Sequence, residues 1–163
     1  MLFAGTTEAK LDAKGRVFFP SEFRRQLTEA DTQLVLKRDA FQQCLVVYPF
    51  SVWQAEVAHL RQRINRWDRR EAMFFRQFLA DAQMLTLDAS GRILIPRRYL
   101  EECHIGTTVS FVGADDRVEL WDAATMKDAF LSPAEMDSTM EGLAGRLGPE
   151  GEMMRLFSHN STL

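Results

Sequence analysis

The chain has 163 residues, of which 46% are hydrophobic and 26% are charged. This is the composition of a folded protein with one ordinary domain or two small ones. No run of about 18 apolar residues occurs, which argues against a membrane-spanning helix, and the N-terminus does not resemble a secretion signal. Cys44 and Cys103 are isolated in apolar segments, as expected of buried thiols in a reducing compartment.

The formal net charge of −3 conceals an uneven distribution. Residues 1–100 carry 16 Lys and Arg against 11 Asp and Glu, a net charge of +5. Residues 101–163 carry 4 against 12, a net charge of −8. Such asymmetry between segments hints at nucleic-acid binding, although a solvated acidic tail produces the same pattern.

One ten-residue motif occurs twice in the chain. Residues 11–20 read LDAKGRVFFP and residues 87–96 read LDASGRILIP, with six identical positions and three more that are apolar in both copies. The register continues beyond the motif, where Phe23 matches Tyr99. Two copies are too few for a solenoid. The repeat therefore predicts either one body with approximate twofold symmetry or a pair of similar lobes.

Each motif predicts a β-hairpin with an Asp-x-x-Gly-Arg turn at its tip. β-prone runs flank the turn, and Gly15 and Gly91 can supply the positive φ that other residues resist. Asp12 and Asp88 lie three residues before the glycines, where a carboxylate can accept backbone N–H bonds. We therefore interpret both aspartates as structural residues of the turn.

Each module is predicted as strand, turn, strand, short helix, strand, loop and strand. Pro20 and Pro96 are expected to begin the short helices, because proline is favoured at the first helical position. Between the modules, apolar residues at three- and four-residue steps predict helices with a break near Asn65. The predicted divisions are a first module over residues 1–50, a helical connector over 51–82, a second module over 83–130 and a flexible acidic tail over 131–163.

The basic residues near the turns are the candidate DNA contacts. Arg16 and Arg92 follow the turn glycines, Lys14 lies at the first tip, and Lys10 lies upstream on the same predicted ribbon. A two-stranded ribbon fits the major groove, where Arg can bond to both acceptors of guanine. The alternative is that each Arg folds back on its Asp in a purely structural pair. Because Ser90 replaces Lys14 in the second copy, we expect the first turn to contribute more.

The connector also carries a cluster of arginines. The cluster is either a solvated face paired with neighbouring acids or a supplementary phosphate contact. The connector arginines are Arg61, Arg63, Arg66, Arg69, Arg70 and Arg76.

No motif in the chain indicates catalysis. Neither a nucleophile elbow, nor a His/Cys metal cluster, nor a Gly-rich phosphate loop occurs in the sequence, so we expect no enzyme, no metal and no cofactor.

The doubled turn resembles the motif of the MraZ proteins. Asp12 to Arg16 and Asp88 to Arg92 are each followed by an apolar triplet and a proline. The resemblance covers about residues 1–130. Two further segments support the resemblance, namely Tyr48-Pro49 at the end of the first module and Glu119-Leu120-Trp121-Asp122 after Val112-Gly113. The related swapped-hairpin group typified by AbrB has a single such module.

This resemblance implies an α+β fold in which two tandem AbrB-like β-α-β modules form a pseudo-twofold β-barrel, with helices inserted between the modules. It implies a cytoplasmic, nucleoid-associated regulator that binds double-stranded promoter DNA upstream of the division and cell-wall gene cluster, including its own operon, and commonly represses it. It also implies a homo-oligomeric ring of about eight to twelve subunits, whose linked sites gain avidity. Lys14, Arg16 and Arg92 map onto the family's basic DNA contacts. The second hypothesis is an antitoxin-like protein-interaction module in which DNA binding is secondary.

Overall fold

The computed structural model describes residues 1–147, in which residues 1–127 form one compact unit and the chain from Asp128 onward belongs to a second. The first unit contains eight strands, four in each copy of the repeat. The strands are β1 (Thr6–Lys10), β2 (Arg16–Phe18), β3 (Gln33–Arg38), β4 (Leu45–Pro49), β5 (Gln83–Thr86), β6 (Arg92–Leu94), β7 (Thr108–Ala114) and β8 (Arg117–Asp122). The α-helices are α1 (Ser21–Arg24), α2 (Phe50–Arg63), α3 (Arg69–Ala80), α4 (Arg97–Glu102) and, in the second unit, α5 (Pro133–Leu147). Short 3-10 helices span Glu29–Asp31 and Met126–Ala129.

The strands interleave the two copies of the repeat. A six-stranded sheet has the order β1-β7-β8-β4-β3-β5, and β2 pairs with β6 in a separate two-stranded sheet. Exchanging β1–β4 with β5–β8 maps every antiparallel pairing onto another one: β1–β7 onto β5–β3, β7–β8 onto β3–β4, and β2–β6 and β4–β8 each onto itself. The repeat therefore builds one body rather than two lobes. Within residues 1–147, β1 and β5 are the edges of the larger sheet and no pairing closes it into a barrel.

The prediction of a hairpin at each motif is wrong about the flanking strands. β1 and β2 flank the first turn, yet β1 pairs with β7 and β2 pairs with β6. A local hairpin would set the apolar β2 beside the polar β1, whose sequence is TTEAK. Pairing across the copies instead places Val17 opposite Ile93, and both side chains are almost fully buried. Burial of apolar surface thus favours the exchanged arrangement.

One hydrophobic core joins the two sheets and both copies of the repeat. Phe19 is almost fully buried in it and makes edge-to-face contacts with Phe23 and Phe111, at centroid separations of 6.2 and 5.8 Å. Such T-shaped pairs are favoured by the aromatic quadrupole. Ile93 and Ile95 contribute to the same core from the second copy. The two-stranded sheet is therefore held firmly on its inner face.

The helices agree closely with their predicted positions. Pro20 and Pro96 occupy the N-cap positions of α1 and α4, one residue earlier than expected. The connector consists of α2 and α3 with the break near Asn65, and the Asp68 side chain caps α3 by accepting the Glu71 N–H at 3.0 Å. α2 buries Trp53 against β3 and stacks it on Phe78 of α3, while no residue of α3 is fully buried.

The tail predicted as flexible begins with an ordered helix. Ser132 and Glu135 form a capping pair before α5, in which the Ser132 hydroxyl accepts the Glu135 N–H at 3.2 Å and contacts its carboxylate at 3.1 Å. This is the Ser-x-x-Glu signature of a helix start, and the compositional argument for flexibility overlooked it. Residues 148–163 of the predicted tail lie outside the described residues. In residues 1–147, every helix is too short or too polar to span a bilayer.

Candidate nucleic-acid interface

The Asp12 carboxylate organises the first turn. Its Oδ1 accepts the backbone N–H groups of Lys14 and Arg16, each at 2.9 Å, and its Oδ2 accepts Nε of Arg16 at 2.7 Å. The backbone adds hydrogen bonds from Gly15 N to Asp12 O and from Asp12 N to Arg16 O. Gly15 has a φ of +89°, as predicted. The turn is therefore fixed by one acidic side chain and one glycine.

The second turn repeats this geometry. The Asp88 Oδ1 accepts the N–H groups of Ser90 and Arg92 at 2.8 and 2.9 Å, and Oδ2 accepts Nε of Arg92 at 2.9 Å. Gly91 has a φ of +84°. The folded-back pairing of each Arg with its Asp is thus present in both copies. It uses only Nε, and within residues 1–147 neither Nη atom of Arg16 or Arg92 makes a hydrogen bond.

The backbone N–H of Arg16 is the main cause that lowers the pKa of the Asp12 carboxyl below its usual value of 3.8. Desolvation opposes this effect, and the Arg16 side chain and the Lys14 N–H reinforce it. The pKa of Asp88 is lowered in the same way, chiefly by the N–H of Arg92. Both aspartates therefore carry their negative charge at neutral pH and hold the guanidinium groups in place.

Each turn is also attached to the strand end of the other copy. The carbonyl of Gly15 accepts the Ile95 N–H at 2.9 Å, and the carbonyl of Gly91 accepts the Phe19 N–H at 3.0 Å. These bonds extend the β2–β6 pairing at both of its ends. The two turns consequently belong to a single two-stranded ribbon, which is built from one strand of each copy and replaces the local hairpin that was predicted.

The outer face of this ribbon carries both turn arginines. The register pairs Arg16 with Leu94, Val17 with Ile93 and Phe18 with Arg92. Because side chains alternate along a strand, Arg16 and Arg92 lie on the face opposite the buried Val17 and Ile93. They are diagonal neighbours, a position with a separation of about 7–8 Å in an antiparallel pair. We call the four outward residues Arg16, Phe18, Arg92 and Leu94 the ribbon face.

Two of these ribbon-face residues were not found from the sequence. Phe18 and Leu94 are 56% and 52% exposed, and the guanidinium of Arg92 lies 5.9 Å from the Phe18 ring centroid. Both stand in the middle of an apolar triplet, where an all-apolar sequence hides the alternation of inward and outward positions. The signal that could have identified them is their spacing of two residues from Arg16 and Arg92, since residues two apart on a strand share a face.

The two predicted lysines occupy different places. Lys14 is exposed at the first turn, next to the ribbon face, as expected. Lys10 is also exposed, but it lies at the end of β1 opposite Thr108 in the six-stranded sheet. The expectation that Lys10 shares a ribbon with Arg16 is therefore wrong, because β1 and β2 do not pair.

The connector arginines form a separate basic surface. All six are exposed, and within residues 1–147 none of them forms a salt bridge. The pairing with neighbouring acids that was one interpretation of this cluster is thus not seen in the described part of the chain. Arg66 lies over the ring of Phe75 at 5.8 Å. These residues sit on α2, α3 and the loop between them, not on the ribbon face.

Comparison with known proteins identifies the family. The family described as "MraZ protein, putative antitoxin-like" matches the chain twice, over residues 2–77 and 78–142. A transcriptional regulator MraZ of Phocaeicola vulgatus is 44% identical over 146 residues, which cover 89% of this chain and 95% of the relative.

More distant relatives carry the same name. The transcriptional regulator MraZ of Pseudomonas savastanoi pv. phaseolicola is 34% identical over 83% of this chain and 87% of its own length. That of Flavobacterium psychrophilum is 34% identical over 72% of this chain and 75% of its own length. The duplicated turn, the double match to the family and the extent of these alignments agree: the chain belongs to the MraZ family.

Proposed function

We propose that this chain is a transcription regulator that binds double-stranded promoter DNA through the ribbon face. The observation that carries the proposal is the attachment of both Asp-x-x-Gly-Arg turns to one two-stranded sheet, with Arg16 and Arg92 as diagonal neighbours on its outer face. The relatives are named transcriptional regulators, and that role is the one a paired display of arginines suits best. A ribbon of this width fits the major groove.

Each Asp–Arg pair is suited to reading bases rather than to general attraction of phosphates. The carboxylate cancels the charge of the guanidinium and fixes its direction through Nε. The two Nη groups are left to donate to the paired acceptors O6 and N7 of guanine. Phe18 and Leu94 lie beside them with exposed apolar surface, which fits the methyl group of thymine. The ribbon face thus combines the contacts for both base types.

Affinity then comes from unpaired cations and from the number of linked sites. Lys14 stands next to the first turn and supplies a free positive charge for a phosphate. A chain with a net charge of −3 gains little from overall attraction to DNA. We therefore propose a homo-oligomeric ring that engages repeated promoter sites by avidity. Bound across the promoter of its own division and cell-wall operon, such a ring represses transcription by occupying it.

The test compares Arg16→Ala plus Arg92→Ala with the unaltered protein. Binding is measured by fluorescence anisotropy with a duplex from the promoter upstream of the protein's own gene and with a scrambled duplex of equal length. Each lost guanine contact costs about 1–3 kcal/mol of discrimination, so we expect the preference for the promoter duplex to fall at least about tenfold. The control is Arg146→Ala, which removes one arginine charge from the exposed surface of α5.

The outcomes separate the two hypotheses. Loss of promoter preference in the double variant, with Arg146→Ala unchanged, supports DNA reading by the ribbon face. Equal promoter preference in all three proteins rejects the ribbon face as the DNA site and points to the connector arginines. Absence of promoter preference in the unaltered protein favours the antitoxin-like interaction module.

A further inference from the structure

The helix after each proline lies against the turn of the other copy. Because Phe23 matches Tyr99 in the repeat, Arg24 matches Leu100. A Cβ atom placed on Gly15 would lie 3.9 Å from Cδ1 of Leu100, and one placed on Gly91 would lie 2.6 Å from Cζ of Arg24. The two positions are therefore equivalent, but one covers its turn with an apolar side chain and the other with a cation.

This difference is complementary to the difference between the turns. The first turn has Lys14 and lies under Leu100, whereas the second has Ser90 in place of the lysine and lies under Arg24. Lys14 is thus next to the Asp–Arg pair of the first turn, where Arg97 and Glu101 of α4 line the same cavity, and Arg24 is next to the glycine of the second. In the first turn the cation comes from the turn itself, and in the second it comes from the helix of the other copy.

Arg24 also lacks an internal partner for its charge. Its Nε is buried without a hydrogen-bond partner, and within residues 1–147 its guanidinium forms no salt bridge. Keeping a charged group partly desolvated and unpaired is costly. An anion arriving at the second turn would pair with the guanidinium charge, because a guanidinium binds phosphate oxygens with short charge-assisted hydrogen bonds.

We propose that Arg24 is the phosphate-binding residue of the second turn and takes the place that Lys14 has in the first. This inference rests on the proposed function, since the phosphate belongs to the DNA that the ribbon face reads. It opposes the expectation from the sequence that the first turn contributes more, and the salt dependence of binding tests the two against each other. The cation of the second turn is supplied across the interleaved copies.

The experiment measures how promoter binding depends on salt concentration. Each phosphate contact adds about 0.9 to the slope of log K against log salt concentration. Arg24→Leu reproduces the cover that Leu100 provides over the first turn, and we expect the slope to fall by about 0.9 for every subunit that contacts the duplex. Adding Ser90→Lys to this variant rebuilds the arrangement of the first turn and is expected to restore the slope. The matched control is Arg25→Leu, an exposed neighbour, which is expected to leave the slope unchanged.

Three results would overturn the inference. The first is an unchanged slope in Arg24→Leu, and the second is a reduced slope that Ser90→Lys does not restore, which would assign Arg24 a packing role. The third is an equal fall in the Arg25→Leu control. If Arg24→Leu does not fold, Arg24→Met keeps the unbranched stem and gives the same comparison. The Arg16→Ala plus Arg92→Ala variant distinguishes a failure of this inference from a failure of the proposed function. If the double variant loses promoter preference while Arg24→Leu keeps its slope, the proposed function stands and only this inference fails.

Discussion

At the scale of single residues, the aspartate of each turn does two things at once. Asp12 accepts two backbone N–H groups, which shape the turn, and one guanidinium Nε, which orients Arg16. Asp88 does the same in the second copy. The structural and the functional interpretations of the Asp–Arg pair are therefore compatible, because the guanidinium can pair with its Asp through Nε and still present its Nη groups to a base edge.

This dual role predicts how stability depends on pH. Folding lowers the pKa of both aspartates, so their contribution to stability is present above the unfolded-state pKa of about 3.9 and is lost as the pH falls through the lowered folded-state values. The free energy of unfolding should therefore decrease from pH 5 toward pH 2. We expect Asp12→Asn plus Asp88→Asn to show a shallower decrease, measured by urea unfolding across this range.

The control for this prediction is Asp137→Asn, which removes a carboxylate from the exposed surface of α5. It should leave the pH dependence of the first unit unchanged. Identical pH dependence in the double variant and the unaltered protein would show that the turn carboxylates do not contribute.

At the scale of elements, the β2–β6 ribbon depends on the close approach of each turn to the other copy. The carbonyl oxygen of Ile95 would lie 2.6 Å from a Cβ atom on Gly15, which is nearer than any real side-chain carbon tolerates. The positive φ adds strain for any residue other than glycine. The glycine of the motif is thus required both by its own conformation and by the strand that packs against it.

Gly15→Ala is accordingly expected to lower the free energy of unfolding by at least about 2 kcal/mol, from the combined strain and collision. Urea unfolding of the first unit measures the loss. Gly142→Ala is the matched control, because Gly142 lies in α5, where an added Cβ would meet nothing within 4 Å beyond the helix's own backbone and its chain neighbours, and alanine is the better helix former. Equal stability of Gly15→Ala and the unaltered protein would mean that the turn does not hold the ribbon together.

The sequence was sufficient for most elements but not for their pairing. Local signals identified the short helices after Pro20 and Pro96, the break near Asn65 and the positive φ of both turn glycines. The partner of β2 could not be predicted, because β1 is its neighbour in the sequence whereas β6 lies in the other copy. Only the burial of Val17 against Ile93 in the folded chain decides between them. For the same reason, Arg24 could not be assigned to the second turn without the three-dimensional contact.

At the scale of the whole molecule, the exchange of strands makes the two motifs one structural unit. Every strand of the first copy has a partner in the second, and β3–β4 and β7–β8 also pair within their own copies. The approximate symmetry of the pairings places two Asp–Arg pairs on one surface. Two similar half-sites on one chain fit a target that is itself repetitive, as proposed for the promoter.

Two basic surfaces compete for the role of DNA contact in this chain, namely the ribbon face and the six connector arginines. Photo-cross-linking to a promoter duplex substituted with bromouracil, followed by mass spectrometry of the linked peptides, distinguishes them directly. We predict cross-links to peptides that contain residues 12–18 and 88–94, with Phe18 near the attachment site. Cross-links confined to residues 51–82 would contradict the central claim that the paired turns read the DNA.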